Sequence, residues 1–278
     1  MMHRLADLKV NRAGLEGFKP MLAKVYTRGE TVLKWPVIVQ PKFDGVRALW
    51  DGSQVRSRSG KHTLAVPPEV MEVLVNDFAG VPLDGELYAH GAGFEKVVSA
   101  ARGGTSEVDL QYVVFDMPTS EGFEDRVQHL KEMLWDANRR RYERVVLSPW
   151  AMVQTREQLD EQMEHWTAEG YEGVMIRSLG RGYEEYRTDQ LLKWKRTHMA
   201  AGVVTGVVAG KGRHTGRIGA LWVKGASVGW QCKVGTGFSD AERDLPGEWW
   251  VGRTVLIEYQ ELSRYGVPRF PRLGEVVR

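Results

Sequence analysis

The 278-residue sequence predicts two parts, an α+β first domain built on mixed antiparallel sheets and a smaller all-β domain folded as a barrel. Three observations lead there. Up to about residue 199, short apolar strand-like runs alternate with amphipathic helical stretches. From Ala200 onward the texture changes to β-like runs cut by glycine-rich turns. The length suits one or two domains of roughly 100–200 residues. The expected division is 1–199, with 1–18 a short N-terminal extension, and 200–278.

In chain order, PVIVQP (36–41) reads as a strand, and GVRALW followed by QVRSRS as a hairpin turning on Asp51-Gly52. Pro67-Pro68 starts a helix whose Val70, Val73, Leu74 and Phe78 share a face. VPLDGELYA (81–89) is the next strand; Phe94, Val97, Val98 and Ala101 fit one helical face. LQYVVFDM (110–117) is a buried strand, and Phe123, Val127, Leu130 and Leu134 mark a longer amphipathic helix. Thr155 with Gln158 forms a capping box for a helix through Leu159, Met163 and Trp166 that Gly170 stops. EGVMIRS (172–178) and LLKWK (191–195) are further strands. The barrel strands are VVTGVVAG, RIGALWVKG, WQCKVG and RTVLIEYQ, with a helical stretch near 239–244.

Composition excludes several classes. The single Cys232 leaves no disulfide framework or thiolate zinc cluster, and no apolar run reaches membrane-spanning length. The start lacks the apolar core of a secretory leader, so a cytoplasmic location is expected. Net charge is only +2, yet it is unevenly spread: residues 190–239 carry Lys193, Lys195, Arg196, Lys211, Arg213, Arg217, Lys224 and Lys233 and no acid. Such a stretch fits a surface facing a nucleic-acid backbone.

Candidate chemistry starts at Lys42-Phe43-Asp44-Gly45-Val46-Arg47, between a strand and a hairpin. A lysine amine is a nucleophile only when deprotonated. Asp44 suits a metal or a ribose hydroxyl, Gly45 permits close backbone approach, and Arg47 can grip a phosphate. Alone, this hexapeptide reads as a surface hairpin with a solvated ion pair. It is followed, however, by Asp84-Gly85-Glu86, by Glu172 at a strand start, and by Lys193 and Lys195 on one strand face. Lysines and acids on facing strands supply what a nucleoside triphosphate with Mg²⁺ requires, cations for phosphate and oxygens for a hard metal.

The ordered motifs K-x-D-G-x-R (42–47), S-R-x-G (57–60), D-G-E (84–86), V-F-D (114–116), E-G-V-M-I-R (172–177) and L-L-K-W-K (191–195) resemble those of ATP-dependent DNA ligases, within the covalent nucleotidyltransferases. KPMLA (19–23) resembles the beginning of that catalytic domain. G-K-G-x-x-x-G-x-x-G-A-L (210–221), KVGTGFSDAER (233–243) and GVPRF (266–270) resemble the OB-fold domain of minimal E-type ligases of bacteria and phages. The resemblance implies a nucleotidyltransferase domain followed by an OB-fold domain, a monomer using ATP with Mg²⁺ or Mn²⁺, and nicked duplex DNA as partner. Lys42 would attack the α-phosphorus of ATP to form lysyl-AMP; AMP would pass to the nick 5′-phosphate, and the 3′-hydroxyl would displace it. Gln40, Pro41, Arg47, Glu86 and Phe115 would surround the nucleotide, Phe115 stacking on adenine. Asp44, Glu86 and Glu172 would serve the metal, Lys193 and Lys195 the phosphates, and Arg58 the nick 5′-phosphate. Arg278 would stand in for the arginine of the family's C-terminal motif. The resemblance does not extend to the zinc-finger cysteines and extra modules of NAD-dependent ligases, so ATP rather than NAD⁺ is the expected cofactor.

Lys211, Arg213, His214 and Arg217 on one glycine-rich loop suit a duplex backbone, the alternative being a solvated loop. Arg139-Arg140-Arg141 reads as a basic helix end stabilised by the helix dipole, the alternative being a second DNA contact. Trp135, Trp166, Trp249 and Trp250 are expected to be core or interdomain packing rather than base stacking, Cys232 a buried small hydrophobe, and Ser99 and Arg102 cleft lining. Two other readings stay open: an RNA ligase or GTP-using capping enzyme sharing the nucleophile motif, and a non-catalytic DNA-binding protein on the same scaffold.

Overall fold

The computed structural model describes residues 18–27, 31–105, 107–134, 143–225, 229–263 and 265–277. Trp135, Arg139–Arg141 and Arg278 lie outside the described residues. The chain divides into two compact units, Met1–Lys195 and Arg196–Arg278. The division falls a few residues ahead of the expected boundary, because His198 and Met199 already pair with Tyr259 and Glu258 in the second unit's sheet.

The first unit runs β1 (Leu22–Val25), β2 (Val37–Lys42), β3 (Val46–Trp50), β4 (Val55–Ser57), α1 (Pro68–Asp77), β5 (Leu83–Tyr88), α2 (Phe94–Ala101) and β6 (Gln111–Asp116). It continues through α3 (Phe123–Leu134), β7 (Val145–Leu147), β8 (Ala151–Val153), α4 (Arg156–Ala168), β9 (Gly173–Ser178) and β10 (Arg187–Lys195). These strands form two five-stranded mixed sheets, ordered β1-β10-β9-β2-β8 and β4-β3-β5-β6-β7. Among the described residues of the unit, β1·β10 and β6·β7 are parallel and the other ladders are antiparallel.

Local chemistry explains the predicted elements. Pro68 occupies the first turn of α1, where a missing N–H costs no hydrogen bond, and Val70, Val73 and Leu74 at helical spacing are buried. Burying each contributes about 1.5–3 kcal/mol. They join Trp50, Leu83, Leu87 and Tyr112 in the core beneath the second sheet. The β3–β4 turn is shaped by Asp51, whose Oδ1 accepts the Ser53 and Gln54 N–H groups at 3.0 and 2.9 Å. Thr155 caps α4 by accepting the Gln158 N–H at 3.3 Å, but the Gln158 side chain accepts from Gln154 N rather than closing the expected box on Thr155. Gly170, at φ +92°, follows the end of α4. Leu159, Met163 and Trp166 of α4 pack on Val39, Val174 and Ile176 of the first sheet.

The second unit holds β11 (His198–Ala209), β12 (Ile218–Gly225), β13 (Gln231–Val234), α5 (Asp240–Asp244), α6 (Gly247–Trp250), β14 (Thr254–Tyr259), β15 (Glu261–Leu262), β16 (Pro268–Arg269) and β17 (Arg272–Val276). Its five-stranded sheet is ordered β13-β12-β11-β14-β17, and β15 pairs with β16 separately. A bridge between Thr236 and Arg272 brings the end of β13 to the start of β17 and closes the sheet into a barrel. Val204, Leu221, Val223, Cys232, Val234, Trp250, Val255 and Ile257 fill it. Trp166, Trp250 and Cys232 are buried and Trp249 packs partly against the barrel core, as their texture predicted.

Candidate active site

A cavity of about 980 Å³ in the first unit is lined from both sheets. Gln40, Pro41 and Lys42 come from β2, Arg177 from β9 and Lys193 from β10; Arg47 of β3, Glu86 of β5 and Phe115 of β6 come from the other sheet. Exposed Arg58 and Arg102 also line it. Asp44, Glu172 and Lys195 do not.

Glu172 and Lys195 nevertheless lie against Lys42. Lys42 pairs with Gly173 across the β2–β9 ladder, and the Glu172 N–H donates to the Lys42 carbonyl at 3.1 Å. That register sets the Glu172 carboxylate between two ammonium groups: Lys42 Nζ donates to Oε2 and Lys195 Nζ pairs with Oε1. Burial would raise the Glu172 carboxyl, yet Lys42 and Lys195 outweigh it and hold it below the usual carboxylate range. Lys193 has no ion pair among the described residues, and burial, reinforced by Lys195 and Lys42, pulls its ammonium below the usual lysine range. Phe43 packs edge-on against Tyr88 and Tyr171 with ring centroids 5.0 and 5.4 Å away, so aromatic rings hold the chain beside both Lys42 and Glu172.

Gly45 brings the loop against β5. A Cβ there would lie 2.4 Å from the Leu87 carbonyl, and the Gly45 N–H donates to Glu86 Oε1 at 3.1 Å. Burial pushes Glu86 up to about 7 despite the opposing pull of Lys42 and Arg47. The Phe115 ring centroid is 4.7 Å from the Arg47 guanidinium and 5.5 Å from that of Arg177.

Below the cavity lies a buried network. Asp116 accepts Arg126 Nε at 2.7 Å, Arg126 Nη2 at 3.1 Å and Arg177 Nη1 at 2.7 Å; Arg177 Nε donates to Gln40 Oε1 at 2.7 Å. Gln40 Nε2 reaches the Phe115 carbonyl at 3.3 Å, so both ends of its amide are already engaged. Burial would raise Asp116, but Arg126 and Arg177 hold it low. Sequence reasoning gave no role to Asp116, Arg126, Arg177 or Tyr183. Asp116 and Arg177 sit inside recognised motifs; Arg126 and Tyr183 carry no local signal.

The metal set Asp44, Glu86 and Glu172 does not assemble: no group of three or more His, Cys, Asp or Glu fit for a metal occurs among the described residues. Asp44 is exposed past the end of β2 and Glu172 is shared by two lysines. Mg²⁺ needs no such cage, since one or two carboxylates with substrate phosphates commonly suffice. Glu86 on the cavity wall fits that arrangement.

In the barrel, exposed Lys211 and Arg213 remain on the β11–β12 loop. Arg217 does not present free charge: it pairs with Asp244 through two nitrogens and with Asp240 at 3.2 Å. The outer face of the adjoining strands instead carries Trp222, 42% exposed and directly opposite Lys233, with exposed Lys224 two positions along.

Residues 20–195 match the family model of the ATP dependent DNA ligase domain, and residues 209–276 that of the DNA ligase OB-like domain. The chain belongs to the ATP-dependent DNA ligases. A DNA ligase of Haemophilus influenzae is 29% identical over 236 residues, covering 84% of each chain. A DNA ligase of African swine fever virus is 27% identical over 202 residues, and there the match spans only 48% of the relative's length. A Lig E DNA ligase structure is 28% identical with a TM-score of 0.71, covering 93% of this chain and 99% of that one. The Chlorella virus DNA ligase–adenylate structure, 24% identical with a TM-score of 0.53 over 94% of this chain and 98% of that one, shares the fold. The first unit is therefore the ligase catalytic domain and the second its OB domain. Among the described residues, no helix of this ligase is long and apolar enough to cross a membrane.

Proposed function

We propose that this ligase seals 5′-phosphate/3′-hydroxyl nicks in duplex DNA, acting as a monomer through an AMP carried on Lys42. The observation that carries the reading is the convergence of Lys42, Arg47, Glu86, Phe115 and Lys193 on one cavity. Phe115 offers an apolar face for adenine, and Arg47 and Lys193 offer positive charge for ribose and phosphate oxygens. Lys42 Nζ attacks the α-phosphorus; the N–P bond forms as the bond to pyrophosphate breaks, and the Nζ proton has Glu172 as its hydrogen-bonded acceptor. Lys193 and Lys195 neutralise the charge gathering on the leaving pyrophosphate. Glu86 would hold Mg²⁺ together with the phosphates, and the ion would supply Lewis-acid charge neutralisation.

Arg58 meets the nick 5′-phosphate at the cavity mouth, and Lys211, Arg213 and the Trp222–Lys224–Lys233 face contact the duplex backbone. Incubation with nicked substrates tests the reading: ATP with a 5′-phosphorylated DNA nick gives sealed strand. Preference for a nicked RNA duplex, or for GTP, would overturn it in favour of the RNA ligase or capping-enzyme alternatives.

A further inference from the structure

Arg47 belongs to a closed ring of hydrogen bonds. The Met21 N–H donates to Tyr183 Oη at 2.8 Å, and the Tyr183 O–H donates to Asp84 Oδ2 at 2.5 Å. Asp84 accepts Arg47 Nε at 2.6 Å and also Arg47 Nη2; Nη2 in turn donates to the Met21 carbonyl at 3.2 Å and closes the ring. Four separate segments meet here: the chain leading into β1, strands β3 and β5, and the β9–β10 connection that carries Tyr183.

The ring has a chemical direction. Nε and Nη2 are committed to Asp84 and Met21, while Nη1 takes no part, in a side chain that lines the cavity and lies over Phe115. Asp84 is fully buried, so its orientation depends on its partners, and among the described residues the Tyr183 hydroxyl is the one that does not come from Arg47. The hydroxyl's part is also separable from ring packing. The Tyr183 ring rests 6.3 Å from Phe18 and 5.8 Å from the Arg126 guanidinium, contacts a phenylalanine would keep.

We infer that Tyr183 is a positioning residue for nucleotide binding, acting through Asp84 to hold Arg47 with Nη1 free for an oxygen of a nucleoside triphosphate. This rests on the reading above, in which Arg47 touches the nucleotide. Removing the hydroxyl leaves Arg47 in the cavity but loosens its geometry. The loss is one of uniform binding: ATP affinity falls while the rate at saturating ATP changes little.

The test measures equilibrium binding of ATP with Mg²⁺ to the full chain carrying Lys42→Ala, so that no covalent AMP forms. Thermal midpoints of the same samples check folding. Tyr183→Phe weakens ATP about three- to tenfold, the range expected for one hydrogen bond. In an Arg47→Lys background, where the bidentate pair is lost, Tyr183→Phe adds almost nothing, because its effect passes through the guanidinium. If Arg47→Lys itself leaves ATP binding unchanged, Arg47 does not touch nucleotide, and the reading of the site fails along with this inference. If Arg47→Lys weakens binding but Tyr183→Phe does not, or Tyr183→Phe costs the same factor in both backgrounds, only the positioning role is refuted.

Discussion

Replacing Asp116 by Asn tests the buried network beneath the cavity. The side chain of Asp116 is fully buried, and those of its partners Arg126 and Arg177 are 1% and 3% exposed. Asn preserves the shape and the Oδ1 acceptor for the Met117 N–H at 2.8 Å, so the perturbation removes charge rather than volume. It leaves two buried guanidinium groups without their shared counter-ion, a change that costs about 3–5 kcal/mol. Urea denaturation, followed with probes in the catalytic domain because the chain has two units, reads this as a lowered midpoint. The pH dependence has a definite sign. Arg126 and Arg177 hold the Asp116 carboxyl below its unfolded value, so its contribution is present above that value and is lost as pH falls through the depressed one. The stability gap between wild type and Asp116→Asn therefore narrows below about pH 4. A loss under about 1 kcal/mol at neutral pH would refute the claim that this carboxylate compensates both arginines.

Three further outcomes follow from the same geometry. Burial raises Glu86 to about 7, so the stability tied to its neutral form is lost as pH rises from the ordinary carboxylate range through that value. In EDTA, Glu86→Gln should gain thermal midpoint relative to wild type between about pH 5 and about pH 8, and a constant difference would contradict the assignment. Gly45→Ala puts a Cβ 2.4 Å from the Leu87 carbonyl, so a loss of about 1–3 kcal/mol and slowed adenylylation are expected; a variant of unchanged melting and labelling would refute the contact. In DNA-binding titrations, Lys224→Ala with Lys233→Ala should flatten the log–log salt slope by about 1.8, at roughly 0.9 per phosphate contact, and Arg217→Ala by less. The reverse ranking would show that the loop, not the sheet face, meets the backbone.

Much of the fold was legible because its signals are local. Pro68 with Val70, Val73 and Leu74 announces α1, and the period-two placing of Lys193 and Lys195 announces β10. Strands β1, β7 and β8, of three or four residues, are too short for periodicity to register and exist through their partners. At the site, the motifs named the residues but not their directions. Asp44 lies just past the end of β2, where strand alternation no longer predicts orientation, and it does not line the cavity. The acid-free window ended at residue 239, and folding brings Asp240 and Asp244 of α5 back onto Arg217. Tyr183 meets Asp84 across 99 residues and Arg177 meets Gln40 across 137, separations that no local pattern encodes.

The central claim is that Lys42 carries AMP between ATP and DNA. The direct measurement incubates wild type and Lys42→Ala with α-labelled ATP and Mg²⁺, maps the labelled residue, and then adds a 5′-phosphorylated nick. Acid-labile AMP on Lys42 that disappears as the nick is sealed is expected, with neither labelling nor sealing in the variant. Label on another residue, or sealing by Lys42→Ala, would contradict it.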